Sequence, residues 1–198
     1  MNGRIFSVPG LDDEPFEGDM PLDPVSESQA RSSLHGKEYD AQAREYLEGL
    51  GAQIVDLFPH PFGYRLDFLV EGANGCRFYV DAHGSPDQTD RPQAGLRRQD
   101  TVLKFGYKAF HMSLNRAAHP LVVLTSHLPK PGSSSFYLLA ELGIDNRLWD
   151  AVATVGDLGG LQRLSRYFDD TPVLTEPLPA PWRARAQPFE FDFDDDGP

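Results

Sequence analysis

The stretch FYVDAHGS, residues 78–85, decides how the fold is interpreted. It is an apolar run that ends on Asp81 and, two residues later, on His83. Side chains on a strand point alternately to its two faces, so Asp81 and His83 share one face at the end of a predicted core strand. Two titratable side chains at the end of a buried strand are costly unless they have a partner or a function.

The segments around this strand predict an α/β fold. AQIVDLF (52–58) and YRLDFLVEG (64–72) have the composition of two further strands. The link ANG between the second strand and the third, CRFYVDA (76–82), is short enough to predict an antiparallel hairpin. PLVVLTS (120–126) is a continuous apolar run, which is typical of a central strand covered on both faces.

Helices are predicted on both sides of the strands in sequence. The first covers residues 36–50 and the second residues 96–114, while NRLWDAVATVGDLGGLQRLSRYF (146–168) predicts one or two terminal helices. The expected buried face of the first helix is Tyr39, Ala43, Tyr46, Leu47 and Leu50, and that of the second is Leu96, Leu103, Tyr107, Phe110 and Leu114. The prediction is a mixed central sheet of about four to five strands flanked by helices, in the order α-β-β-β-α-β.

The net charge of −12 is concentrated at the two ends of the sequence. Residues 1–35 carry −5 and residues 171–198 carry −4, whereas residues 36–170 carry only −3. Scattered prolines and acids predict disordered acidic tails at 1–35 and 171–198, around one folded domain at 36–170. Such tails often recruit protein partners, and the near-neutral body leaves nucleic acid open as a ligand.

The sequence also gives an expectation for the cellular location of the protein. It has no apolar run near the ~20 residues that span a bilayer, and its first residues do not have the apolar stretch of a signal peptide. We therefore expect a cytoplasmic protein with no membrane partner. The single Cys76 is expected to be a small core residue.

Asp67 in the second strand and Asp81 in the third predict a divalent metal site. Adjacent antiparallel strands bring two such carboxylates within a few ångströms, which is unfavourable unless a cation neutralises them. Mg²⁺ is often held by one or two carboxylates together with waters and substrate phosphate. Two alternatives without a metal remain open. Asp67 pairs with Arg65 or Arg77 on the sheet surface, or Asp81 caps a turn over His83-Gly84-Ser85.

These residues resemble a known family. Asp67, thirteen intervening residues and then Asp81-Ala82-His83 resemble the motif of the PD-(D/E)XK nuclease superfamily, over roughly residues 36–126. The resemblance implies a restriction-endonuclease-like core, with Asp67 and Asp81 as the acids that bind Mg²⁺ or Mn²⁺. His83 stands where the pattern has a lysine.

The resemblance also implies roles for the two helices. Glu38 or Glu45 on the first helix would match an acid that some branches of the superfamily add. Lys104 on the second helix is a candidate for the missing lysine, because some branches supply that lysine from this helix.

Cations on the second helix predict contacts with phosphates. Arg97 and Arg98 lie in its first turn, where the helix dipole disfavours cations. Arg97, Lys104 and Lys108 fall on one face, a basic stripe that suits phosphate oxygens. The same stripe is also compatible with an ordinary solvated helix face.

Two functions follow from these observations. The leading one is a metal-dependent DNA phosphodiesterase in which Lys104 or the Arg97–Arg98 pair stabilises developing charge and His83 orients or deprotonates the attacking water. The alternative is a catalytically inactive nuclease-fold module that binds DNA or scaffolds a protein complex.

Overall fold

The computed structural model of the protein describes residues 24–85 and 95–183. Its helices are α1 (Pro24–Gly49), α2 (Gln99–Leu114), α3 (Ser134–Gly143) and α4 (Leu158–Phe168). Its strands are β1 (Gln53–Leu57), β2 (Phe68–Glu71), β3 (Arg77–His83), β4 (Leu121–Thr125) and β5 (Asp150–Ala153).

The strands form a mixed five-stranded sheet in the order β1-β2-β3-β4-β5. β1, β2 and β3 pair antiparallel, whereas β3, β4 and β5 are parallel. The α/β class, the hairpin between β2 and β3, and the order α-β-β-β-α-β are therefore confirmed. All five residues of β4 are buried, as its continuous apolar run predicts.

Helices cover both faces of the sheet. α1 and α4 pack on one face in a core that includes Tyr39, Leu47, Val80 and Tyr167. α2 and α3 pack on the other face, where the buried residues include Phe105, Ala109, Val123 and Leu139. The predicted buried face of α1 is confirmed, because its five residues all belong to or pack against the first of these cores.

The predicted buried face of α2 is wrong apart from Leu96. Four of its residues are exposed, at 53%, 57%, 42% and 64% for Leu103, Tyr107, Phe110 and Leu114 respectively. The helix instead buries Val102, Phe105, Gly106, Ala109 and Met112. The physical reason is that small residues allow a close approach: a Cβ on Gly106 would lie 3.2 Å from Leu142 of α3.

The structure also moves both boundaries of the predicted domain. α1 begins at Pro24, inside the segment 1–35 that composition predicted to be disordered, while residues 1–23 lie outside the described residues. The predicted tail 171–198 packs against the body as far as Arg183, with Ala180 and Trp182 buried at 4% and 2% exposure. Residues 184–198 lie outside the described residues.

The packing of the C-terminal segment depends on Asp150, which was predicted to be helical and lies instead at the start of β5 with no exposed surface. Its carboxylate accepts hydrogen bonds from the Arg163 guanidinium at 2.9 and 3.2 Å, the Tyr167 hydroxyl at 3.0 Å and the Trp182 indole N–H at 3.3 Å. This Asp150 cluster joins β5, α4 and the segment around residue 182. Buried carboxylates need this degree of pairing because desolvation disfavours the charge.

None of the helices in the described ranges combines the length and apolar character needed to cross a membrane.

Candidate functional site

The site lies where β2 begins and β3 ends. The register pairs Phe68 with Val80, so that Asp67 directly precedes the first paired residue of β2 and Asp81 directly follows its partner on β3. The Asp67 backbone N–H donates to the Val80 carbonyl at 3.1 Å, and the Ala82 N–H donates to Asp67 Oδ2 at 2.7 Å. The hairpin therefore holds Asp67 against Asp81, as its sequence pattern predicts.

Asp81 is the centre of the site and is only 1% exposed. Lys108 Nζ lies 2.9 Å from each of its carboxylate oxygens, and His83 Nε2 lies 2.8 Å from Oδ2. An ionised carboxylate can only accept hydrogen bonds, so His83 Nε2 carries a proton in this arrangement. The His83 ring also stacks on Phe105 of α2 at a centroid distance of 5.9 Å.

The two acids of the pair have opposite electrostatic environments. Burial and the neighbouring charge of Asp81 raise the pKa of Asp67 to about 6, with partial compensation from the Ala82 N–H. Burial also opposes ionisation of Asp81, but His83 and Lys108 outweigh it and hold the pKa of Asp81 below its usual range. The pair therefore consists of one stably ionised carboxylate and one that is easily protonated.

A third acid, Asp40 of α1, contributes to the field of the site and was missed by sequence reasoning. Burial raises the pKa of Asp40, opposed by the charges of His83 and Arg65 and assisted by that of Asp81. The predicted acids Glu38 and Glu45 are exposed on α1. The sequence feature that could have indicated Asp40 is its position next to Tyr39, which is predicted to be buried.

The glycine after His83 allows α1 to approach this end of β3. A Cβ on Gly84 would lie 2.5 Å from the Tyr39 ring, so the close contact requires glycine. Because Tyr39 is held in this way, its neighbour Asp40 is fixed near the acids of the strands.

The lysine next to the acids is Lys108, not Lys104. Lys104 is 73% exposed and lies 3.6 Å from Asp100 Oδ2, whereas the Lys108 side chain is 23% exposed and contacts Asp81. Lys108 follows the buried Phe105 by three residues and so shares its side of α2. The error follows from the inverted face of α2, since the true buried face turns Lys108 toward the sheet.

The predicted basic stripe is interrupted by acids. Arg98 donates to both carboxylate oxygens of Asp100 at 3.1 and 2.9 Å, and Lys104 shares the same carboxylate. Arg97 lies in the single helical turn Gly95–Arg97 before α2 and is partly buried. With Lys108 turned toward Asp81, Lys104 is the member of the stripe that stays well exposed, next to the exposed Arg98.

The two surface alternatives do not describe the site. Arg77 pairs with Glu71, and the Arg65 guanidinium lies 4.0 Å over the ring of Phe58. The carboxylate that accepts a backbone N–H is that of Asp67, while the described partners of Asp81 are side chains.

Asp67 and Asp81 have the donor chemistry of a hard divalent cation. Oxygen ligands from one or two carboxylates suit Mg²⁺ and Mn²⁺ when waters and substrate complete the shell. Burial is the main cause of the raised pKa of Asp67 and the charge of Asp81 the second, and a bound cation would offset the repulsion between the two carboxylates. Within the described ranges, no group of three or more His, Cys, Asp or Glu side chains is arranged to hold a metal, so the fit rests on this pair alone.

Comparisons with known proteins add little. No family model and no curated protein matches the chain. A solved structure of SfsA from Pyrococcus furiosus in complex with Ca²⁺ is similar over 67% of this chain and 60% of its own, with 16% identity and a TM-score of 0.33. The chain thus spans less than two thirds of that structure, and a similarity this low says nothing about function.

Proposed function

We propose that the protein is a metal-dependent DNA phosphodiesterase of the PD-(D/E)XK type, acting in the cytoplasm. The observation that supports it is the neighbouring pair Asp67 and Asp81, with the ammonium group of Lys108 held against Asp81. This arrangement offers carboxylate oxygens for a cation and a fixed positive charge beside them, at the carboxyl end of a central strand.

Each side chain has a distinct task in this proposal. Asp67 and Asp81 would hold Mg²⁺ or Mn²⁺, which when bound supplies Lewis-acid stabilisation of a phosphoryl oxygen and a more acidic water. Lys108 orients Asp81 and carries the positive charge that stabilises the additional negative charge of the transition state. His83 keeps Asp81 ionised and offers a proton donor at Nε2.

DNA as the substrate is part of the same proposal. Arg98 and Lys104 are the exposed cations at the start of α2 and would contact phosphates outside the reacting one. The acidic segment 1–23 is a candidate for recruiting a protein partner.

A second function is favoured by one specific observation. Both oxygens of Asp81 already have cationic or N–H partners in Lys108 and His83, so the buried charge is satisfied without a metal. On this alternative the chain is a catalytically inactive nuclease-fold module that binds DNA or scaffolds a complex.

The Asp67→Asn variant separates the two functions. Asparagine is close in size and its oxygen can still accept the Ala82 N–H, so the fold is retained while one anionic ligand is lost. We expect the wild type to cut labelled single- or double-stranded DNA with Mg²⁺ or Mn²⁺, and Asp67→Asn to lose at least a hundredfold in rate. The matched control is Asp56→Asn, which removes an exposed carboxylate of β1 and should leave the rate unchanged.

Calorimetry of the wild type with Mn²⁺ supplies the independent readout. Absence of both DNA cleavage and Mn²⁺ binding would refute the enzyme and leave the binding module. Cleavage that survives Asp67→Asn would refute the assignment of the metal ligand.

A further inference from the structure

Four large apolar side chains are exposed along α2, between residues 103 and 114. Leu103, Tyr107, Phe110 and Leu114 recur at helical spacing and form a stripe, called here the α2 stripe, with 42% to 64% of each side chain exposed. Scattered exposed apolar residues are ordinary, but a continuous row of four large ones marks a surface that something covers.

A groove lies between the α2 stripe and α3. It has a volume of about 330 Å³, and Leu103, Tyr107 and Phe110 on one side face Leu138 and Leu142 on the other. Its lining is almost wholly apolar, with Glu141 as its charged residue. The volume suits apolar side chains of a short peptide segment.

The described chain stops beside this groove. Arg183 Nη1 donates to the Gly143 carbonyl at 2.9 Å, and a Cβ on Gly143 would lie 2.8 Å from the Trp182 ring. Gly143 directly follows Leu142, which lines the groove. Residues 184–198 therefore follow a residue that contacts Gly143, the neighbour of the groove residue Leu142.

Residues 184–198 contain large apolar side chains that suit the apolar lining of the groove. They read ARAQPFEFDFDDDGP, with Phe189, Phe191 and Phe193 alternating with acids. In an extended segment this alternation puts the three rings on one side and Glu190 and Asp192 on the other. Phe189 is six residues beyond Arg183, a reach of up to ~20 Å.

Cations lie where the acids of such a segment would emerge. The Arg147 guanidinium is 5.6 Å from the centroid of Phe110, and Lys104, which is 73% exposed, follows Leu103 on α2. Glu141 on the α3 side disfavours carboxylates there, so charge complementarity places the acids on the α2 side.

We propose that residues 184–198 of the same chain dock in the α2–α3 groove through Phe189, Phe191 and Phe193. A second copy of the chain could present the same segment, but a covalently attached segment acts at an effective concentration of the order of millimolar. Docking within one chain is therefore favoured at ordinary protein concentrations. This inference is independent of the proposed catalysis.

Photo-crosslinking in the full chain tests it. Tyr107 is replaced by p-benzoylphenylalanine, and Tyr137 of α3, which is 45% exposed and does not line the groove, is replaced in the matched control. We expect crosslinks within one chain from position 107 to residues 184–198, at least tenfold above those from position 137. The triple variant Phe189→Ser, Phe191→Ser, Phe193→Ser should lower that yield at least tenfold at an unchanged melting temperature.

Three outcomes would overturn the proposal. One is an equal yield from positions 107 and 137, and another is a yield that the triple variant does not change. Crosslinks that join two chains, recognised by mass and by their dependence on protein concentration, would assign the groove to a second copy.

Discussion

Replacing Asp67 with asparagine is expected to stabilise the metal-free protein at pH 8 while removing a residue that the proposed activity needs. The pKa of this carboxyl is about 6 in the folded protein, against an ordinary value of 3.8. The groups facing it are Asp81, Asp40 and His83. At 1.36 kcal/mol per pKa unit, ionising Asp67 in the folded state costs about 3 kcal/mol of stability.

The sign of the pH dependence follows from proton uptake. Between about pH 4 and pH 6 the folded state binds more protons than the unfolded state, because the carboxyl keeps its proton longer when folded. The contribution of Asp67 to stability therefore falls as pH rises through this window, and it is constant above about pH 7. Asp67→Asn removes this pH dependence, so the gain is about 3 kcal/mol at pH 8 and less than about 1 kcal/mol near pH 4.

Thermal unfolding in the presence of a chelator measures the effect. For a chain of this size, about 3 kcal/mol corresponds to a rise of about 6–12 °C in melting temperature at pH 8. Asp56→Asn, the exposed β1 control, should shift the melting temperature by little at either pH. A destabilised Asp67→Asn protein, or a shift of the same size at pH 4 and pH 8, would refute the reasoning. Mn²⁺ should raise the melting temperature of the wild type and not that of Asp67→Asn.

Two further predictions concern buried partners. Asp81→Asn leaves the Lys108 ammonium without its counter-charge and should lower the free energy of unfolding, measured by chemical denaturation, by about 3 kcal/mol. Adding Lys108→Met should recover most of that loss. An Asp81→Asn protein as stable as wild type would contradict the ion pair. Trp182→Ala removes a ring that is 2% exposed and a donor to Asp150, so a loss of about 3–5 kcal/mol is expected, whereas a melting temperature unchanged within 2 °C would show that this segment is dispensable.

The strands and the central acids were predictable because strand geometry is local. Alternation places Asp81 and His83 on one face, and the short ANG link sets the hairpin that brings Asp67 close to Asp81. These features need only neighbouring residues and one tight connection.

The buried face of α2, the position of Lys108 and the position of Asp40 depend on packing partners that are distant in sequence. On α2 the sequence pattern predicts that Leu103, Tyr107, Phe110 and Leu114 are buried, but α3 approaches at Gly106 and leaves these side chains exposed. That inversion exchanged Lys104 for Lys108 as the lysine next to Asp81. Asp40 was missed for a similar reason, since its position follows from the contact of Tyr39 with Gly84 across the domain.

The Asp150 cluster couples the anchoring of the segment around residue 182 to a charge buried in the sheet. Loss of the Trp182 indole from its place would leave the Asp150 carboxylate with Arg163 and Tyr167 as its remaining side-chain partners. The same event would expose the apolar surface that the Trp182 ring covers in the core beside α3. A truncation that ends before residue 182 is therefore expected to weaken the contact between β5, α4 and α3, and not merely to remove a surface segment.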